Sequence, residues 1–187
     1  MKNLLNCHCL GVHSFVLSQD KDSLLRRVFY ADTDHTLWRP FEVAVHPHHV
    51  DLKITVLEGT LYNPIYERHI KGTPFKKYNW KSHILSGRGR FELTGEEKLL
   101  EKSNFKYHSG QSVSMFCDEL HTVFVEKGQT CVWLVEEEKP TREYDQINYS
   151  VHDLTKWSPD GLYIEVDDSV KDKYLNKFYK KIQELIR

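Results

Sequence analysis

The chain has 187 residues, 40% hydrophobic and 28% charged, with a formal net charge of -1. That length suits one domain with a substantial core, and so small a charge argues against a nucleic-acid or membrane-surface binder, either of which needs a basic excess. No apolar run is long enough to span a bilayer.

The start, MKNLLNCHCLGVHSFVL, lacks the continuous apolar stretch and small-residue cleavage site of a signal peptide. Cys7, Cys9, Cys117 and Cys131 are too few and too irregularly spaced for a disulfide framework. A reducing, cytoplasmic setting is the expectation.

From about Gly11 to Glu136 the chain is a series of short β-like runs. They are GVHSFVLS, RVFYAD, TLWRPFEVAVH, LKITVLEG, TLYNPIYERH, SHILSG, RFELTG, SVSMF, HTVFVE and TCVWLVEEE. Gly59, Gly87, Gly95, Gly110 and Gly128 mark breaks between runs, so an antiparallel sandwich or barrel is predicted. KGTPFKKYNW, with three Lys and a Pro, reads as an exposed loop between hairpins, and GEEKLLEK as the one candidate helical turn.

After Pro140 a polar connector leads to the turn signal SPDGLY. Asp167, Asp168 and Ser169 then precede Val170, Tyr174, Leu175, Phe178, Tyr179, Ile182, Leu185 and Ile186 at helical spacing, with Lys in the later turns. The expectation is an all-β unit over residues 1–140, with a connector and an amphipathic C-terminal helix over 141–187 packed on it as one domain.

The chemistry gathers around HPHHVDLKITVLEG, residues 46–59. Residues two apart in a strand share a face, so His46 and His48 lie with Val50, Leu52, Ile54 and Val56, while His49, Asp51, Lys53 and Thr55 face the other way. His121 opens HTVFVE on the face of Val123 and Val125. Three neutral imidazoles on two strands make a facial set of nitrogens that leaves coordination positions open.

These residues resemble the cupin superfamily. HPHHVDLKITVLEG is similar to its first motif, an HxH followed by an acidic residue and a Gly turn. GQSVSMFCDELH, from Gly110 to His121, is similar to its second. The resemblance covers roughly residues 36–137 and implies a small antiparallel jelly-roll β-barrel with a divalent metal held by His46, His48 and His121. The family's Glu ligand should fall where this chain has Leu52 and Lys53, and Phe116 and Asp118 stand in place of the Pro and Gly of the second motif's turn.

A three-His set without the carboxylate is similar to that of the thiol dioxygenases. This chain has Trp133 and Val135 where that branch carries His and Tyr, so cysteine is not carried over as substrate. Fe(II) is the expected metal, with Zn or Mn as alternatives, and the expected function is a non-haem iron dioxygenase-type oxidoreductase acting on a small polar or anionic molecule. The alternatives are a Zn or Mn hydrolase or isomerase for a sugar- or nucleotide-like ligand, and a non-catalytic ligand-binding module.

Around the centre, Glu119 is a candidate fourth ligand or general base, with a solvated turn acid as the competing role. Arg39 is the candidate anchor for a substrate anion, and Arg88 and Arg90 are further ones. His49, Asp51 and His121 could form a two-His-one-carboxylate triad, but the strand phase turns the first two outward. Cys7, His8, Cys9 and His13 are spaced too tightly for a structural zinc site. No nucleic acid or membrane partner is expected; a homodimer through sheet edges or the helix is.

Overall fold

The CVWLV run, residues 131–135, is apolar and buried at every position because its strand is covered on both sides, and the architecture follows from that. The computed structural model describes residues 2–7, 11–19, 24–32, 43–83, 88–138, 146–156 and 164–185. In chain order the strands are β1 (Asn3–Leu5), β2 (Val12–Gln19), β3 (Leu24–Asp32), β4 (Leu52–Glu58), β5 (Thr60–His83), β6 (Arg88–His108) and β7 (Ser112–Met115). Then come β8 (Leu120–His121), β9 (Thr130–Glu138), β10 (Gln146–Ser150) and β11 (Ile164–Val166), with helices α1 (Asp168–Leu175) and α2 (Tyr179–Leu185) at the end.

The strands form two antiparallel sheets. One has seven strands in the order β11-β1-β2-β3-β9-β4-β7; the other has the order β10-β5-β6, with β8 also paired to β5. Between them lies a core of Val12, Ala31, Ile54, Val56, Leu61, Met115, Val125 and Trp133, to which both sheets contribute. On the outer face of the seven-stranded sheet, Phe15, Val28, Leu57, Val132 and Leu134 pack against Leu175, Phe178 and Ile182 of the C-terminal segment. Fully burying each of these three stabilises by roughly 1.5–3 kcal/mol, so this contact fastens the helical segment to the sheet.

The helical segment starts where the sequence places it. Asp167 is extended and its side chain accepts the Val170 N–H at 3.1 Å, satisfying one of the free donors of the first turn. A short 3-10 turn at Asn176–Phe178 separates α1 from α2. The SPDGLY turn and Ile186 lie outside the described residues. The chain between residue 140 and the helix also supplies β10, paired to β5, and β11, paired to β1.

Two local expectations are corrected. Residues 71–80 are not an exposed loop, and residues 95–102 are not helical: both belong to one long hairpin, in which β5 pairs with β6 from Thr60↔His108 to His83↔Arg88. Pairing overrides local composition here, because each half-exposed strand takes its backbone partners from the other and needs apolar residues on one face only. Tyr78, Trp80 and Leu99 are the buried residues of these two segments. The register slips between Ile65 and Tyr66, between Arg68 and Thr73, and between Lys77 and Tyr78, the last slip falling next to Gly95, which the sequence suggests as a break. Among the described residues, no helix is long and apolar enough to cross a membrane.

Candidate metal centre

Backbone pairing brings the three histidines together. His46 and His121 face each other in an isolated antiparallel bridge, with His46 N–H donating to the His121 carbonyl at 2.9 Å and the reverse bond at 3.1 Å. β8 in turn pairs with β5, setting His121 opposite Ile65. His48 is placed by the turn across from it: its N–H donates to the Cys117 carbonyl at 2.9 Å, while the Asp51 carboxylate accepts the Cys117 N–H at 2.9 Å. The two motif loops therefore brace one another, and the brace fixes how far His48 stands from His121.

One ring nitrogen from each of His46, His48 and His121 lies within 4.8 Å of the other two. His46 and His121 are buried and His48 is half-buried. The Nε2 atoms of His48 and His121 are 2.8 Å apart, a spacing that one shared proton or one shared cation satisfies. Two imidazoles bound cis to one ion at ~2.1 Å would sit about 3.0 Å apart. The donor set fits a divalent ion.

The outer ring nitrogens are also committed. His46 Nδ1 donates to the Ala44 carbonyl at 2.8 Å, and His121 Nδ1 donates to Asn63 Oδ1 at 2.8 Å. A carbonyl only accepts, so each Nδ1 carries the proton and each Nε2 lone pair is left to the centre, as metal-binding histidines require.

The centre opens into a cavity of about 220 Å³. Its walls include Val43, Ile54, Val123, Trp133 and Val135, and Phe29 stacks on Trp133 with ring centroids 5.4 Å apart. Two charged side chains also line it, Arg27 from β3 and Glu137 from β9. Arg27 Nε donates to Ser14 Oγ at 2.7 Å and a terminal nitrogen donates to the Lys2 carbonyl at 3.3 Å, so the guanidinium is held from behind. Cys7 is on the wall too, but burial pushes its thiol up to about 11, against a smaller lowering by the Arg27 charge; it stays protonated. Burial raises Cys131 to about 12.

The other residues singled out from sequence lie elsewhere or outside the described residues. Glu119 is half-buried in the turn before β8, where its carboxylate accepts the Phe116 N–H at 2.8 Å. His49 and Asp51 are exposed, as expected, but residues 47–51 lie in no strand and β4 begins only at Leu52, so the reason is a bend and not a strand's alternation. Arg39 lies outside the described residues, as do His8 and Cys9, and nothing is described for the side chains of Arg88 and Arg90.

Arg27, Asn63 and Glu137 escaped the sequence analysis. Their signal was phase: Arg27 alternates with Phe29 and Ala31, and Asn63 with Leu61 and Ile65, so each is a polar residue on an inward face.

No protein-family model and no curated protein sequence matches the chain. Among solved structures it is similar to the polyketide cyclase RemF from Streptomyces resistomycificus, at 15% identity over 79% of this chain and 75% of that one, with a TM-score of 0.46. It is also similar to the DMSP lyase DddQ from Ruegeria pomeroyi DSS-3, at 11% identity over 79% of this chain and 54% of that one, TM-score 0.44. A third is the Cnp3 cupin domain of Schizosaccharomyces pombe, at 8% identity over 70% of this chain and 62% of that one, TM-score 0.39. Cupin-type structures are thus among those that the fold is similar to.

Proposed function

We propose that the protein is a mononuclear metalloenzyme, a non-haem Fe(II) dioxygenase-type oxidoreductase acting on a small anionic molecule. The observation that carries this is the convergence of three imidazole nitrogens, within 4.8 Å of one another, on a small cavity that also holds a buttressed arginine. His46, His48 and His121 would hold the ion. Bound there by three neutral ligands, Fe(II) keeps its full charge and open positions, and supplies dioxygen chemistry.

The protein's own groups do the rest. Arg27 joins Arg39, which lies outside the described residues, as a candidate anchor: it lines the cavity, its donors to Ser14 and Lys2 hold the guanidinium in place, and a guanidinium suits a carboxylate or similar anion. Phe29 and Trp133 give the substrate an apolar wall and keep bulk water from the reacting end. A cavity of about 220 Å³ supports a small substrate.

The test is elemental analysis of protein purified without chelators and after addition of Fe(II) or Zn(II), followed by oxygen-uptake assays with small carboxylates, thiols and catechols. Stoichiometric iron with substrate-dependent oxygen consumption is the expected result. Stoichiometric zinc without oxygen consumption would instead favour the hydrolase or isomerase alternative. Failure to take up either metal would overturn the metalloenzyme proposal.

A further inference from the structure

Asn63 is an unusual occupant of its position. It is 1% exposed and sits on β5 between Leu61 and Ile65 of the same strand phase. An amide removed from water costs free energy unless its donors and acceptors are satisfied. Both ends of the amide have a partner: Oδ1 accepts from His121 Nδ1 at 2.8 Å, and Nδ2 donates to the Met115 sulfur at 3.5 Å.

The placement follows from register. His121 is paired opposite Ile65, so Asn63, two residues earlier on the same face, is its diagonal neighbour.

The direction of the amide is what matters. An Asn side chain turned by 180° would present NH2 to His121 Nδ1. That nitrogen would then have to accept, the ring proton would move to Nε2, and the Nε2 lone pair would be lost to the centre. The thioether of Met115 decides between the two. It can only accept, so it selects the orientation with NH2 toward sulfur and oxygen toward histidine.

We infer that Asn63 is a positioning residue for the metal centre, its amide oriented by Met115 so that His121 is held as the Nδ1–H tautomer with Nε2 free to bind. His46 obtains the same tautomer from a backbone carbonyl, which substitution cannot remove. For His121 the device is made of side chains. It rests on the proposed metal centre for its purpose, but the tautomer is a property of the metal-free protein and is measured there.

The experiment has two arms. In the first, two-bond 1H–15N correlation spectra of metal-free protein, recorded with the imidazoles neutral, report which ring nitrogen of His121 is protonated. Wild type and Asn63→Asp should show Nδ1–H, since a carboxylate accepts in either orientation. Asn63→Leu and Met115→Leu should show a mixture gaining Nε2–H, and Met115→Leu is close enough in volume to keep the fold. In the second arm, Zn(II) affinity is measured by chelator competition, with the melting temperature recorded for each variant. Asn63→Leu should weaken binding by about 10–100-fold, while Asn63→Asp should not.

An Nε2–H ring in wild type overturns the inference. So does an Asn63→Asp protein that loses as much affinity as Asn63→Leu, which would make the residue merely structural. A Met115→Leu protein with an unchanged tautomer removes Met115 from the device. If wild type itself takes up neither Zn(II) nor Fe(II), the metal centre fails, whereas the tautomer assignment stands or falls on the first arm alone.

Discussion

Replacing His121 with Ala should separate two contributions of that residue, one to the fold and one to the metal. In the metal-free protein the loss is local. His121 is 3% exposed, and its removal leaves Asn63 Oδ1 buried without the donor that faces it at 2.8 Å. An unsatisfied buried acceptor costs ~1–3 kcal/mol, and a chain of this length shifts its melting temperature by about 2–4 °C per kcal/mol. The metal-free variant should therefore melt about 2–12 °C lower than wild type.

The metal adds a second, independent difference. An ion present at a hundred times its dissociation constant stabilises the folded state by ~2.7 kcal/mol, which corresponds to about 5–11 °C. Wild type should show that increment on adding Fe(II) or Zn(II), and His121→Ala should show none. His49→Ala serves as the control, because His49 is exposed and stands outside the three-histidine group; its increment should match wild type. Differential scanning fluorimetry with and without metal reads all of this. A His121→Ala protein that keeps the increment, or a His49→Ala protein that loses it, would refute the assignment of ligands.

Three further outcomes follow from the geometry. Arg27→Met should raise KM for an anionic substrate by about 10–100-fold, the loss of a hydrogen-bonded charge worth ~1.5–3 kcal/mol, with kcat changing less; equal KM values would remove Arg27 from substrate binding. Gly59→Ala should destabilise by at least ~1–2 kcal/mol in urea titrations, since φ is +82° and a Cβ there would lie 2.3 Å from the Thr130 carbonyl oxygen. Glu97 is pushed up by burial but held below its ordinary carboxylate value by the hydrogen bonds from Lys77 and Arg68. Its stabilising effect is therefore present above the unfolded-state carboxylate range and lost as pH falls through the lower folded value. Glu97→Gln should flatten the acid limb of the stability profile, and an unchanged limb would count against the network.

Sequence spacing made the three histidines legible, but a strand's period of two governs only β4 onward: residues 47–51, which precede it, lie in no strand, and His48 is placed by its bond to the Cys117 carbonyl. Leu52, Ile54 and Val56 are buried, and Lys53 is exposed, as that phase requires. Thr55 departs from it: it is buried on the far face, where its hydroxyl meets Ser112 Oγ at 2.8 Å. The β5–β6 hairpin was misjudged because its charged residues are normal for strands that cover each other on one side only. Asn63 and Arg27 were passed over because a single polar residue in an apolar phase looks like surface until the pairing shows what it faces. The helical segment was legible from its N-cap acid and its apolar spacing, since both act within a few residues of each other.

His48 and His121 are 73 residues apart, and the chain between them holds the whole of β5, β6 and β7. An ion gripping both is a reversible cross-link that ties off a long loop. Joining the ends of a flexible segment of that length costs about 4 kcal/mol of chain entropy, and that cost falls on whichever step first closes it. The β5–β6 hairpin pairs residues near in sequence, whereas His121 meets His46 through an isolated bridge and meets β5 through β8. An ion bound by these histidines would tie the two ends of this excursion together, and its stabilising effect would be felt most where β8 meets β5.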